Sequence, residues 1–571
     1  MKTFLKIIGF LFLGIVYTSL NCQAQSTINP FQFEIKKKLI CKNGAVVSAH
    51  ALASQAGVEI LKMGGNAIDA AIATQLALAV VHPSAGNLGG GGFLVMQLQN
   101  GSSKTIDYRE MAPASSHRNM YLDENGNAQF DKSQSGHLSS GVPGTVAGLF
   151  ASHKYARLSF EKLIQPAIEL AEKGFVISER EASSLNGLKQ EFLKFNTVTP
   201  DFVKETKWKA GDTLIQKDLA NTLKRISKNG AAGFYEGETA KLIVEEMQRG
   251  GGIISLNDLK NYRAIEREPH IFNYKGFTIL GMPMPSSGGL LLHQMMKMIE
   301  KKPIATYGFQ SPQAVQLMVE AERRAFADRA AFMGDADFYK VPVAEISSDK
   351  YLTKRMEDFV PGKAGNSQLI QPGILPAKES EETTHLNVID KDGNAVSVTT
   401  TLNNSYGSRT IVGGAGFLMN DEMDDFSIKP GTPNMYGALG GEANAIEPGK
   451  RMLSSMTPTI VLKNNKPYLL VGTPGGTTIP TSVFQTIVNI LDFEMSTEDA
   501  VWKPKFHHQW MPDRVDLERG FLPTTRKELE TMGYKIVERG SIGRTEVIKK
   551  LRNGKFEVIA DNRGDDAAEG W

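Results

Sequence analysis

Cysteine is scarce in this sequence, because its 571 residues contain only two, Cys22 and Cys41. A scaffold held together by several disulfides is therefore excluded, and the fold must be stabilised by its hydrophobic core. The sequence also lacks an excess of one charge. It contains 64 basic and 62 acidic residues, which gives a net charge of +2. No basic block or stripe stands out, so a nucleic acid is not an expected partner.

Motifs for phosphate, dinucleotide or metal binding are also missing. The glycine run Gly89–Gly92 is not followed by Lys-Ser or Lys-Thr, as a Walker loop requires. It leads into a strand-like run instead of a helix, which argues against dinucleotide binding. His507 and His508 are adjacent and lack the i, i+4 spacing of zinc ligands on a helix. We therefore expect no cofactor and no metal.

The N-terminus has the pattern of an export signal. Lys2 supplies positive charge, Ile7–Val16 is apolar, and residues 22–24 (Cys-Gln-Ala) resemble a small-x-Ala cleavage site. The alternative is a membrane anchor over Phe4–Leu20, but this run is short for a bilayer, which needs about 20 residues. We expect residues 1–24 to be removed and the mature protein to be periplasmic or secreted.

Hydrophobic patterning predicts helices over residues 46–81, interrupted at Gly64-Gly65, with Asn66 as the N-cap of the second helix. Ser311-Pro312 is a typical start for a long helix that ends near Met333. Beyond position 383 strands dominate, and the strand-like runs are 384–389, 395–402, 457–463 and 467–472.

The first two of these runs flank Asp392-Gly393, a strong signal for a β-hairpin. A two-residue loop would place Thr383 opposite Leu402. A three-residue loop over 391–393, with its glycine left-handed, would place Thr383 opposite Thr401. A shift of one residue turns every side chain to the other face, so the two registers are distinct.

Thr383 has two interpretations. The structural one is a β-branched residue in a strand, where threonine is common. The chemical one depends on the fact that a hydroxyl needs a nearby base to become a nucleophile. A threonine at a chain N-terminus carries that base as its own α-amine, which titrates near pH 8. An internal Thr383 therefore makes catalytic sense only if the chain is cut before it.

Several multi-residue motifs around Thr383 and upstream of it occur in a fixed order. They are Gly64–Ala71, His82-Pro83, Arg109–Pro113, Gly141–Gly144, Pro285–Gly289, Thr383–His385, Thr401–Asn403, Asn420–Ser427, Lys429–Gly431, Arg451–Thr459 and Gly472–Gly476. In order and spacing this set resembles the γ-glutamyltransferase family across nearly all of the mature chain.

The resemblance implies an α+β fold, the αββα sandwich of N-terminal-nucleophile hydrolases, built from both fragments of an autoprocessed precursor. Residues 1–24 would be the signal peptide, 25–382 the large subunit and 383–571 the small subunit, and the two subunits would form a heterodimer. The implied activity is γ-glutamyl transfer and glutathione hydrolysis, within glutathione metabolism and biosynthesis. Substrates would be glutathione or other γ-glutamyl compounds, with water, amino acids or dipeptides as acceptors and no cofactor.

The resemblance also implies a role for each site residue. The catalytic set would be Thr383 as nucleophile, Thr401 bonded to its hydroxyl, Asn403 at the new α-amine, and Gly475 and Gly476 as oxyanion donors. These roles need Thr383 and Thr401 on one face, so we predict the three-residue loop, with Gly393 left-handed and Asp390 paired with Asn394.

The substrate set would be Arg109, Ser454 and Ser455 at the α-carboxylate, Glu422 and Asp425 at the α-amine, and Tyr436 on a lid. Processing would involve Glu382, whose carbonyl is attacked, and Arg563 close to the cut. Two other functions remain open. The nearer is a β-lactam side-chain (glutaryl or cephalosporin) acylase, which has no use for an amine site. The other is an exported binding protein that has lost catalysis.

Overall fold

The computed structural model describes residues 28–370, 382–429 and 441–571. The expected signal sequence (1–24) and the proposed lid residue Tyr436 lie outside these ranges. Within them, no helix is both long enough and apolar enough to cross a bilayer.

The strands of the described ranges are β1 (Lys38–Cys41), β2 (Gly44–Ser48), β3 (Gly91–Gln97), β4 (Ser103–Asp107), β5 (Phe175–Val176), β6 (Thr213–Leu214), β7 (Ile265–Arg267), β8 (His270–Tyr274), β9 (Phe277–Gly281), β10 (Glu382–Asp390), β11 (Ala395–Asn403), β12 (Thr459–Lys463), β13 (Lys466–Gly472), β14 (Phe506–His507), β15 (Val515–Glu518), β16 (Ile536–Arg539), β17 (Glu546–Lys550), β18 (Phe556–Ile559) and β19 (Ala567–Gly570).

The α-helices of the same ranges are α1 (Ala51–Lys62), α2 (Ala67–Val81), α3 (Phe130–Gln134), α4 (Thr145–His153), α5 (Phe160–Lys173), α6 (Glu179–Phe195), α7 (Lys217–Asn229), α8 (Ala232–Tyr235), α9 (Gly237–Gly250), α10 (Leu256–Asn261), α11 (Gly288–Glu300), α12 (Ile304–Tyr307), α13 (Pro312–Phe332), α14 (Val343–Ile346), α15 (Asp349–Arg355), α16 (Thr478–Leu491), α17 (Thr497–Trp502) and α18 (Pro523–Thr531). Short 3₁₀ turns occur at His137–Ser139, Glu422–Asp425 and Glu442–Asn444.

Two seven-stranded sheets form the centre of the molecule. The first has the order β19-β2-β10-β11-β3-β4-β7 and the second β1-β18-β17-β13-β12-β9-β8. Their inner faces share one apolar core, in which Val47 and Val95 of the first sheet pack with Ile460 and Leu470 of the second. The sheets are therefore stacked face to face as a sandwich.

Helices cover both outer faces. One core joins the first sheet to α1, α2 and α5, and a separate core joins the second sheet to α11, α13 and α16. The helix α2 is buried on all sides, as its continuous apolar sequence requires. The layer order is thus αββα, which confirms the expected α+β fold class.

Both expected fragments contribute strands to both sheets. In the first sheet β10 and β11 lie between β2 and β3, so the hairpin that begins at Glu382 separates two strands that come from before it. In the second sheet, four strands from the later part of the chain lie between β1 and β9, which come from the earlier part. They are β18, β17, β13 and β12. A cut before Thr383 would therefore leave two chains that share one hydrophobic core.

Several local predictions are confirmed. Asn66 caps α2 in a reciprocal capping box with Asp69, and Ser311 caps α13 with Pro312 in its first turn. The predicted helix over 46–81 is wrong at its start, because residues 46–48 belong to β2. Val46 and Val47 are β-branched and buried between β10 and β19, where the pleated surface favours them over a helix.

The hairpin loop is also as predicted. Gly393 has φ +91°, and the backbone N–H of Asp390 donates to the carbonyl of Asn394 at 3.1 Å. The Asp390 carboxylate accepts from the N–H groups of Asp392 and Asn394 at 2.9 and 3.0 Å, and from the N–H of Ala67 at the start of α2. One side chain therefore fixes the loop and joins it to the helical layer.

Candidate active site

Thr383 is the second residue of β10 and is buried. Along the hairpin Thr384 pairs with Thr400, the register predicted from the three-residue loop, but Glu382 pairs with Asn403. Two residues of β11, Thr401 and Leu402, therefore lie opposite the single residue Thr383. This is a β-bulge, a feature that bends a strand and redirects its side chains.

The bulge is fixed by hydrogen bonds on the β11 side. The Thr401 hydroxyl accepts from the N–H of Asn403 at 2.8 Å, and the Asn403 side chain donates to the Asp421 carbonyl at 3.0 Å. Asn403 has φ +77°, a left-handed conformation that asparagine tolerates better than most residues. Thr401 and Asn403 are thus held at the end of the hairpin where Thr383 lies.

Gly475 and Gly476 lie three and four residues after the end of β13, which packs against the hairpin across the sandwich, and they precede α16. Both have positive φ, +133° and +54°. The Gly475 carbonyl accepts from the N–H and the hydroxyl of Thr478 at 3.0 and 2.7 Å, so the loop is tied to the first turn of α16. A Cβ at position 475 would lie 2.4 Å from the Thr478 hydroxyl, which leaves no room for a side chain.

The guanidinium of Arg109 binds the carboxylates of both Glu422 and Asp425, and all three side chains are buried. Arg109 lies two residues beyond β4, and its Nε and Nη2 also donate to the carbonyls of Met452 and Leu453 at 3.2 and 3.3 Å. The fold thus brings Arg109 into contact with Glu422 and Asp425, a contact that their positions in the sequence do not reveal.

Glu110 belongs to the same cluster and was missed as a site residue. Its Oε2 lies 3.6 Å from Nη1 of Arg109, and neither carboxyl oxygen has a hydrogen-bond partner among the described residues. Burial raises the pKa of Glu110 to about 8 against the opposing effect of Arg109, with Asp425 contributing to the rise. The only sequence signal was its place beside Arg109 in the Arg109–Pro113 motif.

The cluster has more acidic than basic groups. Glu110, Glu422 and Asp425 surround one guanidinium, and burial raises the pKa of Glu422 well above its ordinary value. A ligand ammonium placed beside these carboxyls would favour their ionised forms and could pair with them. The site therefore favours a ligand that carries an amine.

Ser454 and Ser455 follow the carbonyls that Arg109 contacts, and both are buried. The Ser454 hydroxyl accepts from the N–H of Met456 at 3.2 Å, and its carbonyl accepts from the N–H of Ser287 at 2.7 Å. The Ser455 hydroxyl has no hydrogen-bond partner in the part of the chain that the structure describes. A buried hydroxyl without a partner is costly, so Ser455 is suited to bind a ligand.

Asn420 is a second residue whose role the sequence did not reveal, although it begins the Asn420–Ser427 motif. Its side-chain oxygen accepts from the N–H groups of Gly141 and Glu422 at 2.8 and 3.1 Å. Its amide donates to the carbonyls of Gly89 and Gly141 at 2.7 and 2.9 Å. Asn420 therefore joins the glycine run before β3 to the turn that carries the acids.

Arg563, Glu382 and Tyr436 are the remaining predicted site residues. Arg563 is bound to Glu518 and Asp561, and in the described ranges none of its hydrogen bonds or ion pairs reaches Thr383. It does line the same cavity as Gly475. The backbone of Glu382 lies at the start of β10, and Tyr436 lies outside the described residues. Within those residues, no group of three or more His, Cys, Asp or Glu is arranged to hold a metal.

An αββα sandwich with a buried threonine near the start of a central strand is the architecture of the N-terminal-nucleophile hydrolases. The model of the gamma-glutamyltranspeptidase family matches residues 53–571, and the chain belongs to this family. It is 46% identical over 534 residues to the glutathione hydrolase proenzyme of Escherichia coli, covering 93% of this chain and 92% of that one. Identity to the proenzyme of a Pseudomonas species is 47% over 498 residues, with 86% of each chain covered.

A cephalosporin acylase from Bacillus halodurans is a solved structure with the same fold. Its TM-score is 0.81 at 24% identity, with 96% of this chain and 99% of that chain covered. At this identity the likeness concerns the fold alone. The relatives are named as glutathione hydrolases that are made as proenzymes. These names do not support the expected role in glutathione biosynthesis.

Proposed function

We propose that the chain is a precursor that cuts itself before Thr383 and then transfers γ-glutamyl groups through that threonine. The Thr383 hydroxyl attacks the carbonyl carbon of Glu382, an ester replaces the amide, and water hydrolyses the ester. The products are the 25–382 and 383–571 subunits, which remain paired. The two seven-stranded sheets support this pairing, since each of them contains strands from both fragments.

Catalysis then uses the new α-amine of Thr383 as the base for its own hydroxyl. The hydroxyl attacks the γ-carbonyl of a donor such as glutathione and forms a γ-glutamyl ester. Thr401 hydrogen-bonds the hydroxyl and Asn403 holds the α-amine. The N–H groups of Gly475 and Gly476 stabilise the oxyanion. Water releases glutamate, whereas an amino acid or dipeptide accepts the γ-glutamyl group.

The contact of Arg109 with Glu422 and Asp425 is the observation that carries the substrate assignment. A γ-glutamyl group ends in a free α-amine and α-carboxylate, and so requires opposite charges at short range. The acids would receive the amine, while Arg109, Ser454 and Ser455 would bind the carboxylate. Two further assignments rest on the family likeness alone, namely Tyr436 on a lid and Arg563 in processing.

An acylase for β-lactam side chains, the second candidate, would not need acids beside Arg109, because a glutaryl group has no α-amine. An assay of the purified protein with glutathione, with and without a dipeptide acceptor, decides between the two. We expect glutamate release without the acceptor and a γ-glutamyl dipeptide with it. Activity on glutaryl-7-aminocephalosporanic acid with none on glutathione would contradict the proposal.

We also propose export with removal of residues 1–24, on the basis of the N-terminal sequence pattern. N-terminal sequencing of the large subunit purified from a periplasmic or culture fraction should begin at Gln25. A large subunit that still begins at Met1 and stays with the membrane fraction would favour the anchor.

A further inference from the structure

The glycine run Gly89–Gly92 is a sequence motif that phosphate binding does not explain. It forms the entry to β3, which lies beside β11 in the first sheet. In the register of these two strands Gly91 is opposite Thr401, and Gly92 is opposite Thr400. The run therefore lies directly against the end of the hairpin that carries Thr401, the proposed partner of the nucleophile.

The run consists of glycines because its backbone approaches its neighbours too closely for side chains. A Cβ at position 90 would lie 2.1 Å from the carbonyl oxygen of Thr401. A Cβ at position 92 would lie 2.5 Å from the carbonyl oxygen of Thr399, and one at position 91 would lie 2.7 Å from Oε2 of Glu110. The run is thus packed between the hairpin and Glu110, a member of the cluster around Arg109.

Asn87 is the side chain that joins the run to the hairpin, and it is buried. Its side-chain amide donates to the carbonyl of Thr401 at 2.8 Å and to the hydroxyl of Thr400 at 3.1 Å. The Thr400 hydroxyl in turn donates to the carbonyl of Gly91 at 2.7 Å. One amide therefore holds two successive residues of β11, one of which lies in the bulge opposite Thr383.

The same side chain is also bound to the part of the chain that precedes the proposed cut. Its oxygen accepts from the N–H of Gly90 at 3.1 Å and from the hydroxyl of Thr145, the first residue of α4, at 2.6 Å. Its nitrogen donates to the carbonyl of Ala85 at 2.9 Å. Asn87 therefore acts as donor and acceptor at once, which an aliphatic or an ionised side chain cannot do.

The bulge opposite Thr383 is thus held from two directions. On the side of the expected small subunit, the Asn403 side chain donates to the Asp421 carbonyl. On the side of the expected large subunit, Asn87 holds Thr401. A group that acts on a nucleophile must be placed to within about 0.5 Å, and neighbouring hydrogen bonds provide this precision.

We infer that Asn87 is a positioning residue for the nucleophile, because it fixes Thr401, and through Thr401 the hydroxyl of Thr383. The inference rests on the proposed function, in which Thr401 hydrogen-bonds that hydroxyl. Asn87 itself touches no reacting atom. Self-cleavage and transfer use the same hydroxyl, so both should depend on Asn87. Binding of the γ-glutamyl group at Arg109 should not depend on it.

The test compares Asn87→Ala with the unaltered protein and with Asn186→Ala as the matched control. Asn186 is a partly buried asparagine of α6 whose amide also bridges backbone groups, since it donates to the carbonyl of Trp208 and accepts from its N–H, both at 2.9 Å. We would measure the rate of self-cleavage, the kcat for hydrolysis of γ-glutamyl-p-nitroanilide per processed molecule, and the inhibition constant of glutamate, which reports binding at Arg109. Near-ultraviolet circular dichroism checks folding, because self-cleavage is itself a readout.

We expect Asn87→Ala to slow self-cleavage and to lower kcat, each by about 10- to 100-fold, because the partner of the nucleophile is no longer held in place. The inhibition constant of glutamate should stay unchanged. Asn186→Ala should behave as the unaltered protein does in all three measurements. Unaltered rates in Asn87→Ala, an equal loss in Asn186→Ala, or a loss confined to glutamate binding would overturn the inference.

Asn87→Asp provides a second test through its pH dependence. An ionised carboxylate cannot donate to the carbonyls of Ala85 and Thr401, whereas a protonated carboxyl can donate to one of them. Burial raises the pKa of a carboxyl, so this one should become protonated in mild acid. The kcat of the variant, divided by that of the unaltered enzyme at the same pH, should therefore rise between pH 8.5 and pH 5.5. The ratio for Asn87→Ala should stay constant. A constant ratio in both variants would overturn the inference.

Two further outcomes are decisive. If Asn87→Ala and Asn87→Asp both fail to fold at either pH, Asn87 holds the fold and not the nucleophile, and the inference is wrong. If the unaltered protein neither cuts itself nor hydrolyses γ-glutamyl-p-nitroanilide, the proposed function fails and the inference falls with it. An active unaltered enzyme with unaffected Asn87 variants refutes the inference alone.

Discussion

Arg109 and Asp425 form a buried ion pair although 316 positions separate them along the chain. The pair joins the end of β4 to a 3₁₀ turn of the expected small subunit. A cut before Thr383 would therefore leave the two partners on different chains. In the proposed enzyme the substrate pocket forms only while the two subunits stay together.

Asp425→Ala tests the amine site. The variant should still cut itself, since Asp425 takes no part in the attack on Glu382. Its kcat/KM for glutathione should fall about 30- to 1000-fold, or roughly 2–4 kcal/mol, because a charge-assisted hydrogen bond to a buried amine is lost. An unchanged kcat/KM would remove Asp425 from the substrate site.

Glu110→Gln tests the buried carboxyl beside Arg109. The pKa of Glu110 is raised by burial to about 8, far above its ordinary value of 4.5. The folded protein therefore keeps a proton that the unfolded chain releases, and stability is lost as pH rises from the ordinary Glu range through about 8. Glutamine stays neutral, so the fall in Tm between pH 5 and pH 8.5 should be smaller in the variant.

The control for that comparison is Glu528→Gln, an exposed position on α18. This variant should show the same fall in Tm as the unaltered protein. If Glu110→Gln shows the same fall as well, Glu110 does not keep its proton in the folded state.

Gly475→Ala tests the oxyanion turn. The Cβ of an alanine here would lie 2.4 Å from the Thr478 hydroxyl. The alanine would also have to adopt φ +133°, which L residues rarely do. The loop should shift, and kcat should fall about 100-fold or more, the range seen when one oxyanion donor is lost. Gly554→Ala is the control, since Gly554 has φ +81° in open space. A Gly475→Ala enzyme as active as this control would contradict the assignment.

Asp390→Ala tests the hairpin loop. Its carboxylate accepts hydrogen bonds from Ala67, Asp392 and Asn394, so its loss should lower the free energy of unfolding by about 3 kcal/mol. Chemical denaturation is best measured in a Thr383→Ala background, where the chain is expected to stay intact. Asp392→Ala loses only a partly exposed ion pair with Arg157 and should cost less than about 1 kcal/mol. Equal losses would contradict the role of Asp390.

The features that sequence predicted well are those set by local chemistry. Glycine in the left-handed region, asparagine at a helix N-cap and proline in a first turn each have a physical reason within a few residues, so Gly393, Asn66 and Pro312 behave as expected. The strand at 46–48 was missed because Val46 and Val47 continue an apolar pattern that helix and buried strand share.

The features that sequence did not predict depend on distant parts of the chain. The bulge opposite Thr383 arises because Asn403 is held by Asp421, a residue outside the hairpin, while the loop sets the register from the other end. The burial of Glu110 beside Arg109 depends on how β4 packs against the rest of the first sheet. Neither follows from periodicity or spacing.

The central claim is that Thr383 cuts the chain and then becomes its N-terminal nucleophile. The most direct measurement is gel analysis with Edman sequencing of the small fragment, for the unaltered protein, Thr383→Ser and Thr383→Ala. The fragment should begin Thr-Thr-His-Leu-Asn. Thr383→Ser should also process, but more slowly, because serine lacks the methyl that restricts χ1. Thr383→Ala should remain one inactive chain. A fragment that begins elsewhere, or a Thr383→Ala chain that still splits at this bond without added protease, would contradict the account.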